Sequence, residues 1–172
     1  MIKGKELIQF LGYSVDHPEF VTFLQTHEAD IHKLPSPQLP EKKGVKPLIV
    51  KFHQGFILNF DRYYPGSDNA DSLIKRPIGN GPIYLAGVNF FKPDPADSSH
   101  PDPVQLPFGL HFLDNEQVLS AKFGHKNIAG TTNSPYYEAD ESDYYYKSYH
   151  LYAYYDRGDI QEKLQGLLVS LR

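Results

Sequence analysis

Hydrophobic spacing divides the chain into short helices and strands. Leu7, Phe10 and Leu11 stand at i, i+3 and i+4 with Gly12 behind them, which predicts an opening helix stopped by glycine. Asp16 as cap, Pro18 in the first turn and Glu19 three residues after the cap predict a second helix with Phe20, Phe23 and Leu24 on one side. Four prolines and a Glu-Lys-Lys run make 34–47 a loop. Residues 48–52 and 56–60, apolar and separated by His53-Gln54-Gly55, predict a hairpin, and 83–90 a third strand. Prolines at 93, 95, 101, 103 and 107 then impose an extended connection that cannot be a central strand.

The pattern restarts at Leu106. Asp114 as cap and Gln117 three residues on predict a helix through Val118, Ala121 and Lys122 that ends at Gly124. Strands are expected at 144–147 and 149–155, followed by an Asp156-Arg157-Gly158 turn. In the tail, Ile160, Leu164, Leu167, Leu168 and Leu171 keep helical spacing behind Asp159 and Glu162. They predict a final helix, with a strand as the alternative.

The two halves can be laid over each other. Gly12, Glu19 and Val21 precede Gly109, Glu116 and Val118 by 97 residues, and the run from Phe56 to Arg62 precedes that from Leu151 to Arg157 by about the same, 95. The reading is a single α+β domain over 1–172, an antiparallel sheet with short helices packed on one face. Two tandem helix-plus-strands repeats, 1–91 and 106–172, would be joined by the Pro-rich connection 92–105.

Period 2 then sorts the second half. Leu151, Ala153 and Tyr155 match Phe56, Leu58 and Phe60 as the core face, which leaves His150, Tyr152 and Tyr154 on the other. Nine of the 13 tyrosines lie between 136 and 155, interleaved with Glu138, Asp140, Glu141 and Asp143. Tyrosine is a good strand residue on a half-wet sheet. It also gives large contact area with little rotamer entropy to lose, which suits a recognition surface. The candidate partner-binding residues are Tyr137, Glu138, Asp140, Glu141, Asp143, Tyr144, Tyr146, His150, Tyr152 and Tyr154, with Tyr144 and Tyr146 as anchors and the acids facing a basic partner.

Composition narrows the chemistry. The 172 residues include no Cys, so disulfides, thiol nucleophiles and thiolate metal sites are excluded. A net charge of −4 argues against nucleic-acid binding by counterion release. No signal-peptide or membrane-span pattern is read, so the expected location is cytoplasmic. No P-loop, dinucleotide fingerprint or nucleophile elbow occurs. Ile78-Gly79-Asn80-Gly81 reads as a loop before the third strand, and the eight His are scattered without metal-ligand spacing. Asp61 and Asp156, each followed by Arg, read as strand-ending turn residues. Neither catalytic residues, cofactor nor metal is expected.

Leu106-Pro107-Phe108-Gly109-Leu110-His111-Phe112, a short helix stopping at Phe123-Gly124, Tyr144-x-Tyr146, a strand and Asp156-x-Gly158-x-Ile160 form a connected pattern. It resembles the repeats of bacterial polymorphic-toxin immunity proteins of the β-lactamase-inhibitor-protein-like fold. Gly55-Phe56-Ile57-Leu58-Asn59-Phe60-Asp61 resembles a strand of the same proteins. The likeness covers about half of the chain. It departs at His125, where the pattern has proline, and in the tail, where the pattern has a strand. The resemblance implies a non-catalytic inhibitor, monomeric or a small oligomer, that occludes the active site of a cognate protein toxin. The alternative is a structural or assembly module of a phage or secretion system, self-associating through its Tyr-rich face.

Overall fold

The computed structural model describes residues 2–37, 48–52, 55–64, 72–92, 104–124, 139–156 and 163–172, with backbone alone at 139–141 and 156. The strands are β1 (Leu48–Phe52), β2 (Phe56–Arg62), β3 (Ile83–Phe91), β4 (Ala139–Tyr146), β5 (Tyr149–Asp156) and β6 (Leu164–Leu171). They form a single antiparallel sheet in the order β1-β2-β3-β6-β5-β4. Each half therefore supplies a three-stranded meander, and the last strands of the two meanders pair at the centre. The fold is α+β.

The helices are α1 (Gly4–Leu7), continued by a 3-10 turn over Ile8–Phe10, then α2 (Pro18–Thr26) and α3 (Glu116–Phe123). Pro18 opens α2, where its fixed φ and missing N–H cost nothing. Asp16 does not cap this helix as the sequence suggested; its carboxylate instead accepts the Ser14 hydroxyl at 2.9 Å. In α3 the cap is Asn115, whose side-chain oxygen accepts the Val118 N–H at 3.1 Å, while Asp114 one residue earlier accepts the His111 N–H at 2.8 Å. Gly124, at φ +92°, ends the helix where a left-handed residue is needed.

The core lies between these helices and one sheet face. Leu7, Leu11, Phe20, Leu24, Leu110 and Leu119 meet Phe56, Leu58, Phe60, Val88, Phe90, Leu151, Ala153, Tyr155, Leu167 and Val169 in one continuous buried cluster. The parity expected for β2 and β5 holds. Gly12 is pinned beneath this layer at φ +89°, donating its N–H to Leu85 O at 2.8 Å.

The tail corrects an expectation. Residues 164–171 form a strand, not a helix. A register shift between Tyr154 and Tyr155 of β5 leaves Gln165 as an extra residue in β6, so Leu164 and Leu167, three apart, share the core face. A β-bulge of this kind imitates the i, i+3 spacing of a helix. The matching shift on β2 lies between Asn59 and Phe60, 95 residues earlier, and leaves Ala86 as the extra residue of β3. After the bulges come Gly87, opposite Asn59, and Gly166, opposite Tyr154. In the β3–β6 pairing Asn89 stands opposite Leu168, with Val88↔Val169 and Phe90↔Leu167 on either side. A local pseudo-two-fold axis relating the two meanders therefore passes through the Asn89–Leu168 pair.

Tyr84 points to the face opposite the helices, fully buried against Tyr63, and donates to Gly79 O at 3.2 Å. Burial raises the pKa of this hydroxyl above its ordinary value of 10.0, with further contributions from Asp16 and Tyr63. The neutral phenol thus stabilises the fold fully below that value, and the contribution is lost as pH rises through the raised value. Tyr84→Phe is expected to flatten part of the alkaline loss of thermal stability between pH 9 and 12. An unchanged profile would contradict this assignment.

Candidate functional site

The sheet face turned away from the helices carries the candidate site. On β5 it presents His150, Tyr152 and Tyr154, all half-buried, and on β4 Asp143 and the exposed Tyr145. His150 Nε2 lies 2.8 Å from Asp143 Oδ1, and the imidazole packs against the Tyr145 ring at 5.0 Å. The Arg172 guanidinium sits 4.7 Å from the centre of that ring. Tyr152 and Tyr154 meet edge to face at 5.0 Å. The strand pairing gathers these groups across β4 and β5.

Tyr144 and Tyr146 are not part of this surface. Lys147 and Ser148 make a two-residue turn that sets Tyr146 opposite Tyr149 and Tyr144 opposite Leu151. Both tyrosines therefore point to the helix side. Tyr144 is fully buried, its hydroxyl 3.3 Å from Ser120 Oγ, and Tyr146 packs against Phe108 and Phe123. They are core and core-edge residues, which corrects their assignment as binding anchors. Asp140 and Glu141 stand in β4 opposite Tyr155 and Tyr154, described by backbone alone. Tyr137 and Glu138 lie outside the described residues, as does most of the Asp156-Arg157-Gly158 turn.

The same face contains a groove of about 460 Å³ that sequence reasoning missed. Its floor is Asn59, Ala86, Gly87, Asn89 and Leu168 from the three central strands, and its far side is His150, Tyr154 and Ser170. The two glycines after the bulges shape it. A methyl group on Gly87 would lie 3.1 Å from Leu168 Cδ1, and one on Gly166 would lie 3.3 Å from Tyr154 Cδ2. Because neither residue has a side chain, Leu168 and Tyr154 can lie low over the sheet.

The near wall is Leu73 and Lys75, beside the exposed Ile49 at the β1 edge. Asp61 holds this wall in place. Its Oδ2 accepts the Leu73 N–H at 2.7 Å and the Ser72 hydroxyl at 3.3 Å, and its Oδ1 accepts the Arg62 N–H at 2.8 Å. Asp61 was expected to fix a local turn; it ties down a segment 11 to 12 residues away. Such charge-assisted bonds are the stronger class. Asp61→Ala is expected to speed hydrogen exchange at the Leu73 amide by about tenfold or more, the loss of a bond worth 1.5–3 kcal/mol. Unchanged exchange would show that the wall is held by something else.

Among the described residues, no group of three or more His, Asp or Glu is placed to hold a metal ion. No helix among them is long and apolar enough to cross a membrane. Ile78-Gly79-Asn80-Gly81 is a loop before β3, tied to the N-terminal segment by Ser14 N–H to Ile78 O and Ile78 N–H to Gly12 O, each 2.8 Å. No family model matches the chain, and no curated protein or solved structure is significantly similar to it.

Proposed function

We propose that this chain is a non-catalytic inhibitor that binds a protein toxin in the cytoplasm of a bacterium and neutralises it by covering its active site. The binding surface in this reading is the sheet face opposite the helices. The observation that carries it is the composition of that face: Tyr152, Tyr154, Tyr145, Ile49, Leu73 and Leu168 spread over four strands and the 72–76 segment. Monomeric soluble proteins rarely leave so many large apolar and aromatic groups on one side of a sheet unless something docks there. Tyrosines held by cross-strand neighbours lose little entropy on binding. The resemblance in the Leu106–Phe112 and Gly55–Asp61 motifs points the same way, and so does a chain with neither a catalytic motif nor a metal-ligand pattern.

Affinity capture from the native organism tests this, with the wild-type chain and Tyr152→Ala/Tyr154→Ala as parallel baits. The expected result is one partner that arrests growth when expressed alone and is absent from the variant eluate. A partner with no toxic activity, or one retained equally by both baits, would overturn the reading. Recovery of only a second copy of this chain would replace it with the self-assembling module.

A further inference from the structure

The groove at the pseudo-two-fold axis has its own chemistry, different from that expected of the acidic 138–143 stretch. Among the described residues that line it, Lys75 is the one permanently charged side chain and none is a carboxylate, and Lys75 has no ion-pair partner among the described residues. This occurs in a chain whose net charge is −4. The floor carries two amides set diagonally across the strands, Asn59 on β2 opposite Gly87 and Asn89 two residues further along β3. Asn89 Oδ1 is buried with no hydrogen-bond partner. An orphaned buried acceptor is costly, and natural folds keep few of them. The axis-related residue is Leu168, so the fold accommodates an apolar side chain at the equivalent position and does not require an amide there. A half-turn about the last Asn89 torsion, which is soft and roughly two-fold, brings this oxygen up towards the groove.

We infer that the groove receives an extended segment of the partner protein bearing a carboxylate side chain flanked by apolar residues. The carboxylate pairs with Lys75, a backbone N–H donates to Asn89 Oδ1, and the apolar side chains lie on Leu73, Ala86 and Leu168. Side-chain amides that both donate and accept are suited to reading an extended backbone. Lys75 on the rim selects for negative charge and repels a basic segment. The inference rests on the reading of this face as the partner surface and adds which chemistry enters it.

The test pans a phage-displayed library of random linear dodecamers on the full chain and, in parallel, on Lys75→Glu. Lys75 is exposed, so reversing its charge leaves the core untouched. The wild type is expected to select peptides with Asp or Glu between apolar residues, and the variant to select Lys or Arg at that place. Selected acidic peptides should bind Lys75→Glu about tenfold or more weakly and lose affinity with added salt. Asn89→Leu should weaken the same peptides while raising the thermal midpoint, a pair of changes that a purely structural asparagine would not give. No enrichment, acid-free sequences, or equal binding to Lys75→Glu would each overturn the inference. A toxin captured through Tyr152 and Tyr154 but indifferent to Lys75→Glu would sink this inference alone. Acidic peptides selected where no toxin is captured would sink the inhibitor reading alone.

Discussion

Phe90→Ala is expected to lower the unfolding free energy by about 3–5 kcal/mol, the range for deleting a fully buried phenylalanine. Phe90 has no exposed surface and sits in β3 with Phe56 opposite on one neighbouring strand and Leu167 on the other. Two effects add. The apolar surface of the ring no longer leaves water on folding, and a cavity remains because the surroundings cannot close over it. Collapse is hindered here in particular, since β2 and β6 are hydrogen-bonded to β3 on both sides and fix the distance between the neighbours. A loss of that size is a large share of the 5–15 kcal/mol that holds a typical domain together. Urea unfolding followed by circular dichroism measures it. A change below about 1 kcal/mol would mean that the helices do not cover this face.

Tyr152→Ala/Tyr154→Ala is expected to weaken binding to the captured partner by 2–4 kcal/mol, roughly 30- to 1000-fold in Kd, with a much smaller effect on stability. Both rings lie on the face away from the core and are half-buried, and they support each other edge to face. Tyr154 also rests over Gly166, so its position is fixed before a partner arrives. Anchors preorganised in this way lose little entropy on binding, and their removal leaves the partner's pocket unfilled. Titration calorimetry gives the affinity change and thermal unfolding gives the cost to the fold. A variant that lost stability as steeply as Phe90→Ala would place these rings in the core.

Much of the fold could be read from alternation. The hairpin of β1 and β2 was legible because Phe56, Leu58 and Phe60 alternate with Ile57 and Asn59, and the same parity identified Leu151, Ala153 and Tyr155 as core. Helix starts were legible to within a residue or two; the caps were less so, because Asp16 and Asp114 satisfy their own turns in place of the helix. The tail misled because a bulge at Gln165 puts Leu164 and Leu167 on one side at helical spacing. The comparison of the halves held the corrective. A strand in the tail, placed as β3 is in the first half, completes a second meander.

The site was less legible than the fold. The tyrosines between 144 and 154 look like one surface in sequence, but a two-residue turn at 147–148 sends Tyr144 and Tyr146 to the opposite face from Tyr152 and Tyr154. Counting outward from that turn would have separated them. The groove left no such trace. It depends on β3 pairing with β6, far apart in sequence, and on Asp61 reaching Leu73. Asn59, Asn89 and Lys75 belong to no motif, and they meet only once the central strands pair and Asp61 holds the 72–76 segment.

Neutralisation through this sheet face, as proposed, is decided by the growth of cells expressing the captured partner. Wild-type chain and Tyr144→Phe, which alters only the helix side, are expected to restore growth at one inhibitor per partner molecule, whereas Tyr152→Ala/Tyr154→Ala at equal abundance is expected to leave growth arrested. Rescue by the double variant at the same stoichiometry as wild type would mean that the inhibitor does not act through this face.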